Sequence, residues 1–190
     1  ITVSPTPTLS ATTSSWQVRS HLPTFNIGTP HVLRGAKTAC SFQNRIVAAN
    51  VTIRQSGASS DSYHPNRLIW SILPTEQFAT YQSDGLGPQL SGNAFGQYNF
   101  IDVQNTGAIQ AVVPVGQGTL AILGREATNL LVGNLETITA TAGGIGYSVQ
   151  ELGTNTGCLD TKTVQRAQSG AVWASPGGVL LFDGAKITNL

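Results

Sequence analysis

Apolar and polar positions alternate in short runs along most of the chain, and turn residues cut the runs every few positions. Residues 45–55 (RIVAANVTIRQ) form the longest β-branched run, and 67–73 (RLIWSIL) follows after a gap rich in Ser, Gly and Pro. Further strand-like segments fall at 16–19, 97–103, 108–113, 119–123, 135–142, 145–152, 161–166, 171–174 and 178–182. The separators are turn chemistry: Asp84-Gly85, Asn105-Thr106-Gly107, Gly143-Gly144, Asn155-Thr156-Gly157, Pro176-Gly177-Gly178 and Asp183-Gly184. Period-2 segments at this spacing predict an all-β protein, an antiparallel β-sandwich with the strands of an eight-stranded jelly roll. Short connector helices are expected in two places. Residues 74–81 open on Pro74 and stop at Asp84-Gly85, and 125–131 has room for a turn or two.

Composition sharpens this picture. Only 10 % of the 190 residues are charged, against about a quarter in an ordinary soluble domain. Thr, Ser, Gln and Asn fill the polar positions instead, which excludes the long charged faces of a helical protein. Apolar residues reach 40 %, enough for one core, and no run is long enough for a membrane-spanning helix. Ser, Thr and Pro dominate the first fifteen residues, so 1–15 reads as an extended arm and 16–190 as the folded domain. The two cysteines, Cys40 and Cys158, are expected to be free thiols, because a chain of this size needs no covalent staple.

The net charge of +1 conceals an asymmetry. Residues 1–70 hold Arg19, Arg34, Lys37, Arg45, Arg54 and Arg67 against Asp61 alone, a net +5; residues 71–190 hold four cations against eight acids, a net −4. A cationic side of this kind can lie near phosphate or pair with an acidic patch on another copy.

Motifs for chemistry are sparse. Gly116-Gln117-Gly118 superficially matches a dinucleotide-binding turn, but the segment after it is too short and too β-like for the required helix, so a hairpin turn is expected. His21, His31 and His64 show no metal-ligand spacing, and neither cofactor nor metal is expected. Asp61 and His64 lie close enough in sequence to sit in one loop, the sole hint of a nucleophilic triad, with no Gly-x-Ser-x-Gly elbow to support it. The sequon Asn50-Val51-Thr52 falls inside the strongest strand, where a glycan does not fit. Trp16, Trp70 and Trp173 are expected to fill the core rather than to form a carbohydrate platform.

A Ser/Thr/Pro arm, a cationic stretch from Arg19 to Arg67, the strand pair 45–55 and 67–73, and a short helix after Pro74 resemble the shell domain of small icosahedral virus coat proteins. The nearest comparison is the single jelly roll of non-enveloped RNA viruses. The resemblance implies a non-enzymatic capsid protein, assembled in a host cytoplasm into a virion. Its partners would be copies of itself, other capsid proteins, and viral nucleic acid held without base reading. Arg19, Arg34, Lys37, Arg45 and Arg54 are then the cations expected to face the genome. Two readings compete with it: a glycan-binding β-sandwich of lectin or fibre-head type, marked by an exposed aromatic beside Asn or Asp, and a secreted β-rich hydrolase, marked by His64 clustered with an acid and a nucleophile.

Overall fold

The computed structural model describes residues 24–25, 32–54, 58–73, 77–78, 95–136, 146–167 and 170–190. The expected arm 1–15, the segment 16–19, Arg19, Trp16, His21 and His31 lie outside them. Among the described residues the regular elements are fourteen strands and one 3₁₀ turn, and no α-helix occurs. The all-β, antiparallel expectation therefore holds. A short parallel pair, β1 (Thr24–Phe25) with β5 (Gln77–Phe78), stands apart from three four-stranded sheets.

The first sheet contains β2 (Val32–Phe42), β3 (Arg45–Arg54), β4 (Ser62–Ser71) and β6 (Phe95–Asp102). The second contains β7 (Ile109–Gly116), β8 (Thr119–Gly124), β9 (Ala127–Gly133) and β10 (Tyr147–Thr154). The third contains β11 (Gln165–Arg166), β12 (Ala171–Ser175), β13 (Gly178–Phe182) and β14 (Ile187–Asn189). In the second and third every strand pairs with its neighbour along the chain, and in the first the only step is from β4 to β6, with β5 between them in sequence. The jelly-roll order, in which strands far apart in sequence lie side by side, is not what these strands adopt.

Tight turns explain the meander. Gln43 and Asn44, both at positive φ, close β2 onto β3 in the mirror-image turn whose twist matches the flanking strands. The Gln43 side chain then ties that turn to the second sheet, donating to the Gly133 carbonyl at 2.7 Å and accepting from the Leu135 N–H at 2.8 Å. Gly116-Gln117-Gly118 is the hairpin turn between β7 and β8. At Gly133, φ is +119° and a Cβ would collide with the Gly146 carbonyl oxygen, so only glycine lets β9 and β10 approach there.

The sheets stack with the second in the middle. One cluster joins the first sheet to the second through Phe42, Val47, Leu68 and Trp70 against Val112, Leu120, Ile122 and Leu131. Another joins the second to the third through Val113, Ala121, Leu123 and Leu130 against Trp173, Leu180 and Phe182. Alternate residues of β7 and β8 thus serve opposite faces of the middle sheet, and both faces are apolar.

Burial on both faces also explains where the sequence reading fails. Residues 125–131 are expected to turn helically, yet β9 occupies most of this stretch. A strand buried on both sides reads as a continuous apolar run, which periodicity does not separate from a buried helix. Of the helix expected over 74–81, the described part, Gln77–Phe78, is strand. The expected strand 161–166 is divided: Thr161–Thr163 forms the 3₁₀ turn, capped by the Asp160 carboxylate accepting from the Lys162 N–H at 2.9 Å, and only Gln165–Arg166 pairs. In the segment 135–142, Leu135 and Glu136 lie in no regular element and the remainder is outside the described residues. The edge strand β2 is missed because Arg34, Gly35 and Lys37 break its apolar pattern.

Both thiols are free, and they pack on opposite faces of the middle sheet, Cys40 against the first cluster and Cys158 within the second. Burial pushes the Cys40 thiol up to about 11, with Arg166 opposing, and burial likewise raises Cys158. An aromatic disulfide reagent near pH 8 is therefore expected to react slowly with the native protein and to release two equivalents after unfolding without reductant. A count below two would contradict the free-thiol assignment.

Candidate functional site

The site begins at an irregularity in β3. Asn50 has φ of +54°, and the pairing of β3 with β4 jumps there from Ala49↔Leu68 to Val51↔His64. In a regular strand Ala49 and Val51 would share a face; here Ala49 packs between the first two sheets, and Val51 and Ile53 pack on the far side of the first sheet. Beyond the bulge the apolar contact between the sheets gives way to polar residues. The cross-strand row Gly35–Thr52–Tyr63 follows, with Lys37 nearby on β2. Facing them are Ala108, just before β7, Gln110 at its start, and Arg125 in the β8–β9 turn.

These residues line an open cleft of about 430 Å³. Asn50 is 6 % exposed and donates through Nδ2 to the Ile109 carbonyl at 2.9 Å, which fastens the bulge to the middle sheet. The Lys37 ammonium donates to Gln110 Oε1, and the Gln110 amide donates to the Ala108 carbonyl at 3.1 Å. Tyr63 stands 62 % exposed at the rim. No carboxylate lines the cleft, and neither Lys37 nor Arg125 has an acidic partner among the described residues.

Compared with models of known protein families and with curated proteins, the chain matches none.

The four described cations expected to face nucleic acid, Arg34, Lys37, Arg45 and Arg54, do not form one surface. Arg54 donates to Asp61 at 2.7 Å and Arg34 approaches the same carboxylate at 3.7 Å, so two arginines share one acid on the exposed side of the first sheet. Arg45 points into its own fold. It is 4 % exposed and donates to the Leu135 carbonyl and the Ser71 carbonyl, each at 2.9 Å. Its guanidinium completes main-chain hydrogen bonding inside the fold. Lys37 lines the cleft, and Arg19 lies outside the described residues.

The remaining candidates resolve in the same way. His64 belongs to β4 rather than to a loop, and burial lowers its pKa, with Arg67 adding and Asp102 opposing. Asp61 is engaged by Arg54 and Arg34, so no Asp61–His64 pairing forms for a triad. Arg67 makes a two-pronged bond with Asp102, 2.7 Å on each prong, and lies 4.1 Å over the Phe100 ring. That bond, with its charge, holds the Asp102 carboxyl below the usual carboxylate range. Asn50 is buried and bonded, so the sequon is closed to a glycan in the folded chain. Trp70 and Trp173 are fully buried, as expected. Among the described residues no group of three His, Cys, Asp or Glu could hold a metal, and no helix is long and apolar enough to cross a membrane. Tyr63, Gln110 and Arg125 carry no local signal in the sequence; the sheet stacking alone brings them together.

Proposed function

We propose that this chain is a structural subunit that assembles with copies of itself, of the kind that builds a coat around a viral genome. The observation that carries this reading is the outward face of the third sheet. Trp173, Leu180 and Phe182 face inward, so the alternate residues Val172, Ala174, Val179 and Leu181 face away from the stack. They form a charge-free patch in which Val179 is 45 % exposed and the other three are half-buried. An exposed apolar patch on an end layer, unlike a polar capping face, marks a surface for another protein copy to cover. Thr, Ser, Gln and Asn make up most of the chain's polar residues, and a surface of this kind costs less to desolvate than a lysine-covered one.

Direct contact with nucleic acid is a smaller part of this reading than the cation count alone implies. Asp61 offsets half of the Arg34 and Arg54 charge, and Arg45 is internal. Lys37 opens into the cleft between the first two sheets, so of the five only Arg19, outside the described residues, is left to offset phosphate without reading bases.

Size-exclusion chromatography with light scattering tests the proposal. A mass of many subunits is expected, and a Val179→Lys, Leu181→Lys double variant should reduce the assembled fraction about tenfold or more, since each buried apolar side chain is worth about 1.5–3 kcal/mol. Its far-UV circular dichroism should be unchanged. A monomer at every concentration, or assembly indifferent to the double variant, would overturn the reading.

A further inference from the structure

We infer that the cleft between the first two sheets is a binding site for an acidic saccharide, a sugar bearing a carboxylate. Three features of the cleft converge on this chemistry. Lys37 and Arg125 reach it from separate sheets, and both lack an acidic partner among the described residues, whereas Arg54 and Arg67 are held by Asp61 and Asp102. Two cations beside a carboxylate-free wall favour one bound anion, and a guanidinium with an ammonium suits a planar carboxylate. Tyr63, exposed at the rim, offers a ring on which the apolar C–H face of a sugar can lie. Thr52 supplies a hydroxyl for sugar hydroxyls, and Gln110, bonded at both ends of its amide, holds the Lys37 ammonium in the cleft. Asn50 lines the same cleft, its Nδ2 held by the Ile109 carbonyl.

The scale of the cleft separates a sugar from a nucleic-acid strand. Phosphate backbones are held by many cations in a track, each adding to the salt dependence. Here the neighbouring Arg34 and Arg54 are drawn to Asp61, leaving Lys37 and Arg125 as the two cations of the cleft. A single acidic residue on a glycan matches that spot. The inference does not depend on self-assembly, because every lining residue comes from one chain.

Isothermal titration of the full chain with a glucuronic-acid-terminated disaccharide tests it, alongside the neutral glucose-terminated disaccharide, inorganic phosphate and a short single-stranded oligonucleotide. The acidic disaccharide is expected to bind about tenfold or more tighter than the neutral one, the difference that one charge-assisted hydrogen bond supplies. Lys37→Ala and Arg125→Ala should each remove most of that preference, and Tyr63→Ala should weaken both sugars alike. Gly35→Trp is the steric control: a Cβ there meets nothing within 4 Å and its φ is not positive, so the new ring fills the cleft without disturbing the fold. It should abolish binding while the melting temperature stays unchanged. Equal affinity for the two disaccharides overturns the carboxylate assignment. Tighter binding of phosphate or the oligonucleotide assigns the cleft to phosphate instead, and unchanged binding in Gly35→Trp shows that the sugar binds elsewhere.

Discussion

Trp70→Ala is expected to destabilise the protein by about 3–5 kcal/mol, the usual cost of removing a fully buried tryptophan. Trp70 is fully buried at the junction of the first two sheets. Its indole N–H donates to the Glu136 carbonyl at 2.8 Å, and Tyr147 meets its ring edge-on at a centroid distance of 5.6 Å. One side chain therefore fills the inter-sheet space, anchors the segment that follows β9, and orders the start of β10. For a chain of this length 1 kcal/mol moves the melting temperature by about 2–4 °C, so a drop of roughly 6–20 °C is expected. Trp70→Phe keeps most of the ring but leaves the Glu136 carbonyl without its donor, and should lose about 1–3 kcal/mol. Denaturant unfolding of both variants is the check. A loss below about 1 kcal/mol for the alanine variant would show that the two sheets do not depend on this contact.

Arg45→Ala is the second large effect, expected at about 2–5 kcal/mol, because a buried network loses its donor and the two carbonyls it served. Those carbonyls come from distant parts of the chain, Ser71 at the end of β4 and Leu135 beyond β9. Arg45→Lys should recover only part of the loss: a single ammonium lacks the planar fork that reaches two diverging acceptors. The experiment also separates a structural role from a genome-facing one. A residue turned toward phosphate would leave folding intact and change nucleic-acid binding with a marked dependence on salt. A melting temperature within about 2 °C of the parent would contradict the internal role described here.

The all-β class, the absence of charged helical faces and the core tryptophans were legible because they rest on local patterns. Alternation along 45–55 and 67–73 is a property of the strand itself, and so is the turn chemistry of Gly116-Gln117-Gly118. Strand β9 was not legible, because alternation disappears when neighbours cover both faces, and nothing in ATNLLVG reports the third sheet. β2 was missed for the opposite reason: an edge strand tolerates Arg34 and Lys37, so its apolar signal is diluted.

Charge shows the same division. Six cations within the first seventy residues are read directly from the chain, but their roles diverge once it folds. Arg45 turns inward to hold two carbonyls, Arg34 and Arg54 converge on Asp61, Arg67 locks onto Asp102, and Lys37 opens into the cleft. Composition determined that this is a charge-poor β protein with free thiols and a real core. Only the tertiary structure decided that the strands meander in three stacked sheets, and that a bulge at Asn50 turns an apolar contact into a polar opening. The physical reason is range: periodicity and turn preference act over a few residues, whereas the meeting of Lys37, Tyr63, Gln110 and Arg125 depends on how sheets from separate parts of the chain pack together.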